Sequence, residues 1–274
     1  MSRPAAGRHG HLKRLLPFDR RGSQPNGTTT IVIPTIADSP TLDTAIAGWR
    51  WQNTPATIIL IDTGTDIERY QALEAKHAHA TDVRIVRLAP RDWNGLSARV
   101  AAAIDLATAI VDTTHALLTH DDVFPKRRDI ATALQHEIAN EETPVVGYEM
   151  SPRSHITNQW QGMVSHTLTL IDVDDIRSHN LRWSLADAIR QPECENHGPA
   201  WPDTETGFGI RMRQLGLTPR FIGHETNDPH FEDDWIVHRR SLTSHRFLWP
   251  DLAQRDADWQ QQTIRRFAET YNGQ

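Results

Sequence analysis

The stretch "ALLTHDDVF", Ala116 to Phe124, places Asp121 and Asp122 directly behind an apolar run. Two adjacent carboxylates delivered by a buried strand repel each other and lose hydration. A hard divalent cation offsets both costs by taking their oxygens as ligands. A solvated turn is the bland alternative, and the apolar run in front of the pair favours the metal. Carboxylates at a strand end, facing loops from neighbouring strands, suit a nucleotide diphosphate held through Mg²⁺ or Mn²⁺, because the metal bridges the phosphates. Cys194 is the single cysteine. No Cys or His spacing around it suggests a nucleophile, and one cysteine excludes both an intramolecular disulfide and a multi-cysteine zinc site.

Such a site has to lie on a sheet edge, and the surrounding sequence predicts one. From Thr28, "TTTIVIPTI" is a β-branched run ended by Pro34, as expected of a buried strand that opens into a loop. "SPTLDTAIAGWRWQ" follows as a helix, with Ser39 placed to cap it and Pro40 in its first position. "ATIILIDTGTD" and "DVRIVRL" read as further strands, separated by the helical "IERYQALEAKHAHA". An alanine-rich helix beginning near Ser97 then feeds the strand that ends at the acidic pair. This alternation predicts a mostly parallel, doubly wound α/β sheet with helices on both faces, whose ligands bind beyond the carboxyl ends of the strands. In the second half, "TPVVGYEM", "MVSHTLTLIDV" and "TPRFIGHE" read as strands, and "WPDTETGFGIRMRQLGL" as a loop running into a helix. The tail "LAQRDADWQQQTIRRFAETYN" reads as a terminal helix, with Leu252, Trp259, Ile264 and Phe267 on one apolar side.

Composition sets the outer bounds. The 274 residues allow one large domain with a tail, and a net charge of −6 gives no global basic field to attract nucleic acid. Residues 1–27 carry Arg3, Arg8, Lys13, Arg14, Arg20 and Arg21 against the lone Asp19 and read as a flexible basic arm before a single domain over 28–274. No run approaches the roughly 20 apolar residues of a membrane span, and the N-terminus lacks the apolar stretch of a secretory signal. A cytoplasmic location is therefore expected.

Taken in order, these segments resemble the family 2 glycosyltransferases of the GT-A fold. The family's opening strand and "PT" turn correspond to "IVIPTI", its acidic nucleoside-binding turn to "IILIDTGTD", and its "G-x-S-x-A-R-N" segment to "GLSARV". Its acidic metal motif corresponds to "LLTHDD", and its late catalytic acid before an Arg-x₄-Gly pattern to "DTETGFGIRMRQLG". The likeness runs from roughly Thr28 to His230. The chain departs from the pattern at Thr119, where an acid is usual, at Thr63, where the second-strand turn usually has a further acid, and at Val100, where Asn is common.

The resemblance implies site residues. Asp62 would accept a hydrogen bond from the nucleotide base, for instance a pyrimidine N–H, with Pro34 and Thr35 lining the pocket; an acid before Thr-Gly is also a common turn former. Asp121 and Asp122 would hold the metal and the ribose. Arg99 would pair with phosphates or with these acids, unless it is an exposed helix arginine. Glu205 falls where the family keeps its catalytic acid, with Asp203 as competitor, although acids also favour a helix start. Trp201 and Trp160 are candidates to stack on the sugar. His230, or else His224, would supply a late metal ligand or phosphate contact.

The implied activity is transfer of a sugar from a nucleotide-diphosphate donor, UDP-type by expectation, to an acceptor hydroxyl with inversion. The enzyme would be of the hexosyl- or pentosyltransferase class and would use Mn²⁺ or Mg²⁺. The acceptor stays open among a glycan, a lipid-linked sugar and modified nucleic acid, the last with the basic arm as an electrostatic foot on hydroxylated bases. A nucleotidyltransferase is disfavoured because no Gly-rich phosphate loop follows the first strand. A non-catalytic nucleotide- or sugar-binding module is the remaining rival, favoured by Thr119.

Overall fold

The structure is a computed structural model that describes residues 29–36, 39–89, 96–150, 162–184, 204–226, 228, 230–239 and 250–273. The basic arm and Trp160, Cys194, Trp201 and Asp203 lie outside the described residues. A seven-stranded sheet in the order β3-β2-β1-β4-β7-β6-β8 forms its centre. Its strands are β1 (Thr29–Thr35), β2 (Thr57–Asp62), β3 (Val83–Arg87), β4 (His115–Thr119), β6 (Val145–Glu149), β7 (Val164–Asp172) and β8 (Arg220–His224). Strands β1 to β4 run parallel, β7 runs antiparallel to both β4 and β6, and β6 pairs parallel with β8. A small second sheet pairs β5 (Val123–Pro125), β10 (Ile236–Arg239) and β9 (His230–Glu232) in that order.

Every residue of β1 is buried, which is why its sequence is a β-branched run without alternation. Adjacent residues still face opposite layers. Val32, Ile59, Ile61 and Leu118 pack on α3 (Leu96–Ile110), whereas Ile31, Ile33, Ile58, Leu60 and Leu117 pack under α1 (Leu42–Arg50) and α4 (Ile130–Glu141). The second layer pairs with β2 and β3 through α2 (Ile67–His77), whose Leu73 is its one buried residue. Two shorter helices, α5 (Val173–Ser178) and α6 (Thr206–Gln214), add Val173, Ile176, Phe208 and Met212 to the α3 side. Among the described residues no helix is long and apolar enough to cross a membrane.

The chain order creates one edge where connections diverge. From β1 the chain moves outward to β2 and β3, then returns along α3 to enter β4 on the other side of β1. The carboxyl ends of β1 and β4 are therefore a topological switch point, where open α/β sheets leave a crevice. The acidic pair emerges there.

Two local details differ from the sequence reading. Helix α1 begins at Leu42 behind an N-cap Thr41 that makes no side-chain cap bond, while Ser39 O accepts from Leu42 N at 3.3 Å in a preceding turn. The shift is within the usual fraying of helix ends. Strands β5, β9 and β10 were not legible because three or four residues are too few to show alternation.

The terminal helix α7 (Pro250–Asn272) closes the back of the small sheet. Phe267 stacks on Phe124 with ring centroids 5.2 Å apart, and Tyr271 Oη donates to Pro125 O at 2.8 Å. Glu232 on β9 accepts from Arg266 Nη2 at 2.9 Å and faces Lys126 Nζ at 2.9 Å. The Arg266 hydrogen bonds, joined by Lys126, hold the Glu232 carboxyl down to about 2. A depressed acid contributes stability above its unfolded value of ~4.3 and loses it as pH falls toward the folded value. Glu232→Gln is therefore expected to cost less than about 1 kcal/mol near neutrality, because the pair is half exposed, and nothing below about pH 2. Urea midpoints of both proteins across that range test this; a penalty that persists in acid would assign the cost to packing instead.

Candidate active site

Parallel register brings the ends of β1 and β2 together. Thr35 at the end of β1 sits beside Asp62 at the end of β2. Asp62 is fully buried, and its Oδ1 accepts from Thr65 Oγ1 at 2.6 Å and Thr65 N at 3.3 Å. Its Oδ2 has no hydrogen-bond partner, although Arg87 Nε lies 3.6 Å away. One oxygen thus closes the turn, as the sequence predicts, and the other makes no hydrogen bond. Gly64 has a φ of 133°, and a Cβ there would meet Arg99 Nη1 at 3.1 Å. Glycine satisfies both constraints and lets the arginine lie against the turn. Arg99 Nε is buried without a hydrogen-bond partner. Pro34 is buried within β1, one residue before Thr35.

The acidic pair follows β4 in a tight turn, with both residues buried. Thr35 Oγ1 donates to Asp121 Oδ2 at 2.6 Å, which joins the ends of β1 and β4. Burial, reinforced by the charge of Asp122, pushes the Asp121 carboxyl up to about 7 against the hydrogen bonds of Thr35 and Ser39. Asp122 Oδ1 has no hydrogen-bond partner; it lies 3.5 Å from His238 Nε2 and 3.7 Å from His120 Nδ1. These three ligand atoms all lie within 4.8 Å of one another.

His238 arrives through the small sheet. It pairs with Val123, the residue after Asp122, and Arg239 N donates to Asp122 O at 3.1 Å. His238 Nδ1 bonds Glu225 Oε1 at 3.1 Å, and Thr167 Oγ1 donates to the same oxygen at 3.0 Å. Burial alone would lower His238, but Asp122 and Glu225 outweigh it and carry the imidazole up to about 9. Without a metal, His238 is a cation between two buried carboxylates. A divalent ion fits this donor set, because it would satisfy the open Asp122 oxygen while His238 gives up its proton. His230 does not belong to this cluster: it sits on β9 opposite Arg239, and burial together with Arg239 lowers it. His224 is mostly exposed at the far edge of the sheet, where its Nδ1 lies 2.8 Å from Glu149 Oε2. Neither His120 nor His238 stands out by spacing among the 15 histidines.

Glu205 is buried at the N-cap position of α6 but makes no side-chain cap bond. Its Oε1 pairs instead with His166 Nδ1 on β7, and its Oε2 has no hydrogen-bond partner. The His166 ring lies 4.2 Å from that of His120, centroid to centroid, so Glu205 and the cluster of His120, Asp122 and His238 share one wall of imidazoles. Behind them Trp183 stacks on Phe208 at 4.3 Å, and Asp105 holds the Trp183 and Ser184 amides at 2.7 and 3.0 Å. A Cβ at Gly207 would meet Ser184 O at 2.5 Å, so only glycine allows α6 to start this close. Neither His166 nor Glu225 falls in a motif of the sequence. The competing base Asp203 and the stacking candidates Trp201 and Trp160 are outside the described residues.

A mannosyltransferase, PcManGT from Pyrobaculum calidifontis in complex with GDP-Man and Mn²⁺, superposes over 75% of this chain and 59% of its own, with a TM-score of 0.51 and 11% identity. The chain has the GT-A fold. TarS from S. aureus, in complex with UDP-GlcNAc, matches 73% of this chain and 60% of its own at a TM-score of 0.46 and 9% identity. Glucosyl-3-phosphoglycerate synthase from Mycobacterium tuberculosis, in complex with phosphoglyceric acid, matches 74% of each chain at 0.46 and 12%. The GT-A chain described here thus spans about three fifths of the length of the first two. No family profile and no curated protein sequence matches it.

The acidic pair is a measurable burden on the fold. In the unfolded chain Asp121 ionises near ~4, and in the fold it does so only near about 7. Between these values the native state holds the extra proton, so stability falls as pH rises through the window. In chelator, Asp121→Asn is expected to gain stability over wild type from about pH 4 to 7 and to keep the gain at about pH 8. Parallel denaturation profiles for the two proteins would show that Asp121 carries no such burden.

Proposed function

We propose that the protein is a metal-dependent, inverting glycosyltransferase that moves a sugar from a nucleotide-diphosphate donor to an acceptor hydroxyl. The observation that carries this reading is the converging donor set of half-buried His120 with buried Asp122 and His238, joined through His166 to Glu205, whose second oxygen makes no hydrogen bond. A GT-A neighbour that binds GDP-Man and Mn²⁺ supports the donor class.

Asp62 Oδ2 is the acceptor for a base N–H, such as the imide of uracil, with Pro34 and Thr35 beside it. Asp121 faces the ribose, and Arg99 takes a phosphate oxygen. Asp122, His238 and His120 would hold the cation, which supplies charge neutralisation for the departing diphosphate. Trp201 and Trp160 are the proposed sugar-stacking side chains. Glu205 Oε2 removes the proton from the acceptor hydroxyl as that oxygen bonds the anomeric carbon. The bond from that carbon to the diphosphate breaks with its electron pair, which leaves on the nucleoside diphosphate. Attack opposite the leaving group inverts the anomeric configuration. His166, bonded to Glu205 Oε1, orients the carboxylate.

Two variants separate binding from chemistry. Asp122→Asn is expected to abolish the Mn²⁺-dependent thermal stabilisation by UDP or GDP, because metal and diphosphate are held together in the ground state. Glu205→Gln is expected to lower kcat by roughly 10²–10⁴-fold while donor affinity stays within about twofold. Calorimetry and turnover on both variants, over a panel of UDP- and GDP-sugars, provide the measurement. Normal turnover in Glu205→Gln would remove it as the base, and nucleotide binding indifferent to chelator would remove the metal.

A further inference from the structure

We propose a second ligand site apart from the proposed active site: the cleft between α1, the end of α2 and the end of α7 takes an uncharged pyranose, a saccharide unit of a glycan. It offers about 360 Å³, at the small end of the ~300–1,000 Å³ usual for ligand sites. Asp43, Ile46 and Arg50 of α1 line it together with Trp51, His77 at the end of α2 and Tyr271 of α7. Arg50 Nε and Nη2 donate to the Asp82 carboxylate at 2.7 and 2.8 Å, and Asp82 O accepts from Ile58 N at 2.8 Å. Asp82 directly precedes β3, so this wall stands at the amino ends of β2 and β3. Asp62 stands at the carboxyl end of β2, and no residue proposed to hold the donor, the metal or the acceptor proton lines the cleft.

Unfilled hydrogen bonds in the lining point to a ligand. Trp51 Nε1 and His77 Nε2 are buried without a hydrogen-bond partner, although buried donors are nearly always satisfied. His77 Nε2 lies 4.0 Å from Asp43 Oδ1, while Lys76 Nζ holds Asp43 Oδ2. That gap is too long for a direct bond, and one hydroxyl about 2.8 Å from each atom bridges it. Burial lowers His77 against the pull of Asp43, so the ring is neutral and its Nε2–H donates. The hydroxyl then donates to the carboxylate and accepts from the imidazole.

The charges settle the class of ligand. Arg50 is paired with Asp82 and Lys76 with Asp43, so these cations are already matched and do not call for an anion. Asp43 is the single carboxylate of the lining, too few for a hard cation. Trp51 and Tyr271 meet with ring centroids 5.4 Å apart at 46°, and Tyr271 Oη is engaged by Pro125 O. With Ile46 these rings form an apolar wall beside the polar pair. A pyranose presents a C–H face to such a wall and hydroxyls that both donate and accept to its polar side.

The test follows the indole N–H signals of the nine tryptophans by NMR in the full, isotope-labelled chain. Trp51→Phe identifies the Trp51 signal by its loss. The probes are the methyl glucopyranosides, mannopyranosides and galactopyranosides of both anomers, with N-acetylglucosamine. At least one is expected to shift the Trp51 signal with a dissociation constant on the order of 1 mM, as suits a ligand of few atoms. Asp43→Ala, at a largely exposed carboxylate, and His77→Phe, which keeps a ring of similar size, are each expected to weaken that binding about tenfold or more. Asp122→Asn, at a separate site, is expected to leave it within about twofold. No Trp51 shift with any probe up to about 50 mM would overturn the proposal and leave the gap to water. A shift that both cleft variants leave intact, or one lost in Asp122→Asn, would overturn it as well. A tighter response to glucuronate or inorganic phosphate than to every neutral probe would make the cleft an anion site. The glycosyltransferase reading survives each of these failures, because it stands on donor binding and turnover.

Discussion

Two carboxylates at the dry end of a central strand set the terms for what surrounds them. Asp121 and Asp122 are adjacent, buried and alike in charge, and without compensation that arrangement costs several kcal/mol. The fold answers each acid differently. Asp121 is quieted by the Thr35 hydroxyl and by taking up a proton more readily than an ordinary carboxyl. Asp122 is answered by His238, whose backbone neighbour Arg239 also binds the Asp122 carbonyl. The small β5–β10 ladder that delivers this histidine is therefore part of the site and not a decoration on the main sheet.

Among the described residues, three buried carboxylate oxygens make no hydrogen bond: Asp62 Oδ2, Asp122 Oδ1 and Glu205 Oε2. Buried acceptors are nearly always satisfied, so these three oxygens are the places the proposed ligands would complete. Each has one partner oxygen or neighbour that fixes the side chain: Thr65 holds Asp62, the imidazoles flank Asp122, and His166 holds Glu205. Rigid positioning by one oxygen and availability of the other is what a preorganised site requires.

The larger scaffold contributes position more than chemistry. Parallel pairing of β1 with β2 and β4 places three chain segments at one edge, and the return along α3 opens the crevice between them. Asp105 on the same helix fixes the Trp183 segment, which backs His166 at a ring separation of 6.1 Å. A helix chosen for core packing thus also braces the wall behind the proposed base.

The alternation of strand and helix from Thr29 to Thr119 was legible because buried parallel strands are continuous β-branched runs and helices between them carry their own spacing. The acidic pair at a strand end was legible for the same reason, since its position follows from the run before it. Glu205 was legible only through the order of motifs, and the structure turns its carboxylate to His166 and not to the helix it begins. His120, His166, His238 and Glu225 were not legible at all. Histidine has no periodic signature, and the pairing that brings His238 to Asp122 joins strands of three and four residues far apart in the chain. Local sequence determined which segments end in carboxylates, because burial and propensity act on neighbours. Only the tertiary structure decided which imidazoles meet them, because that depends on the register of strands whose own sequences are too short to show it.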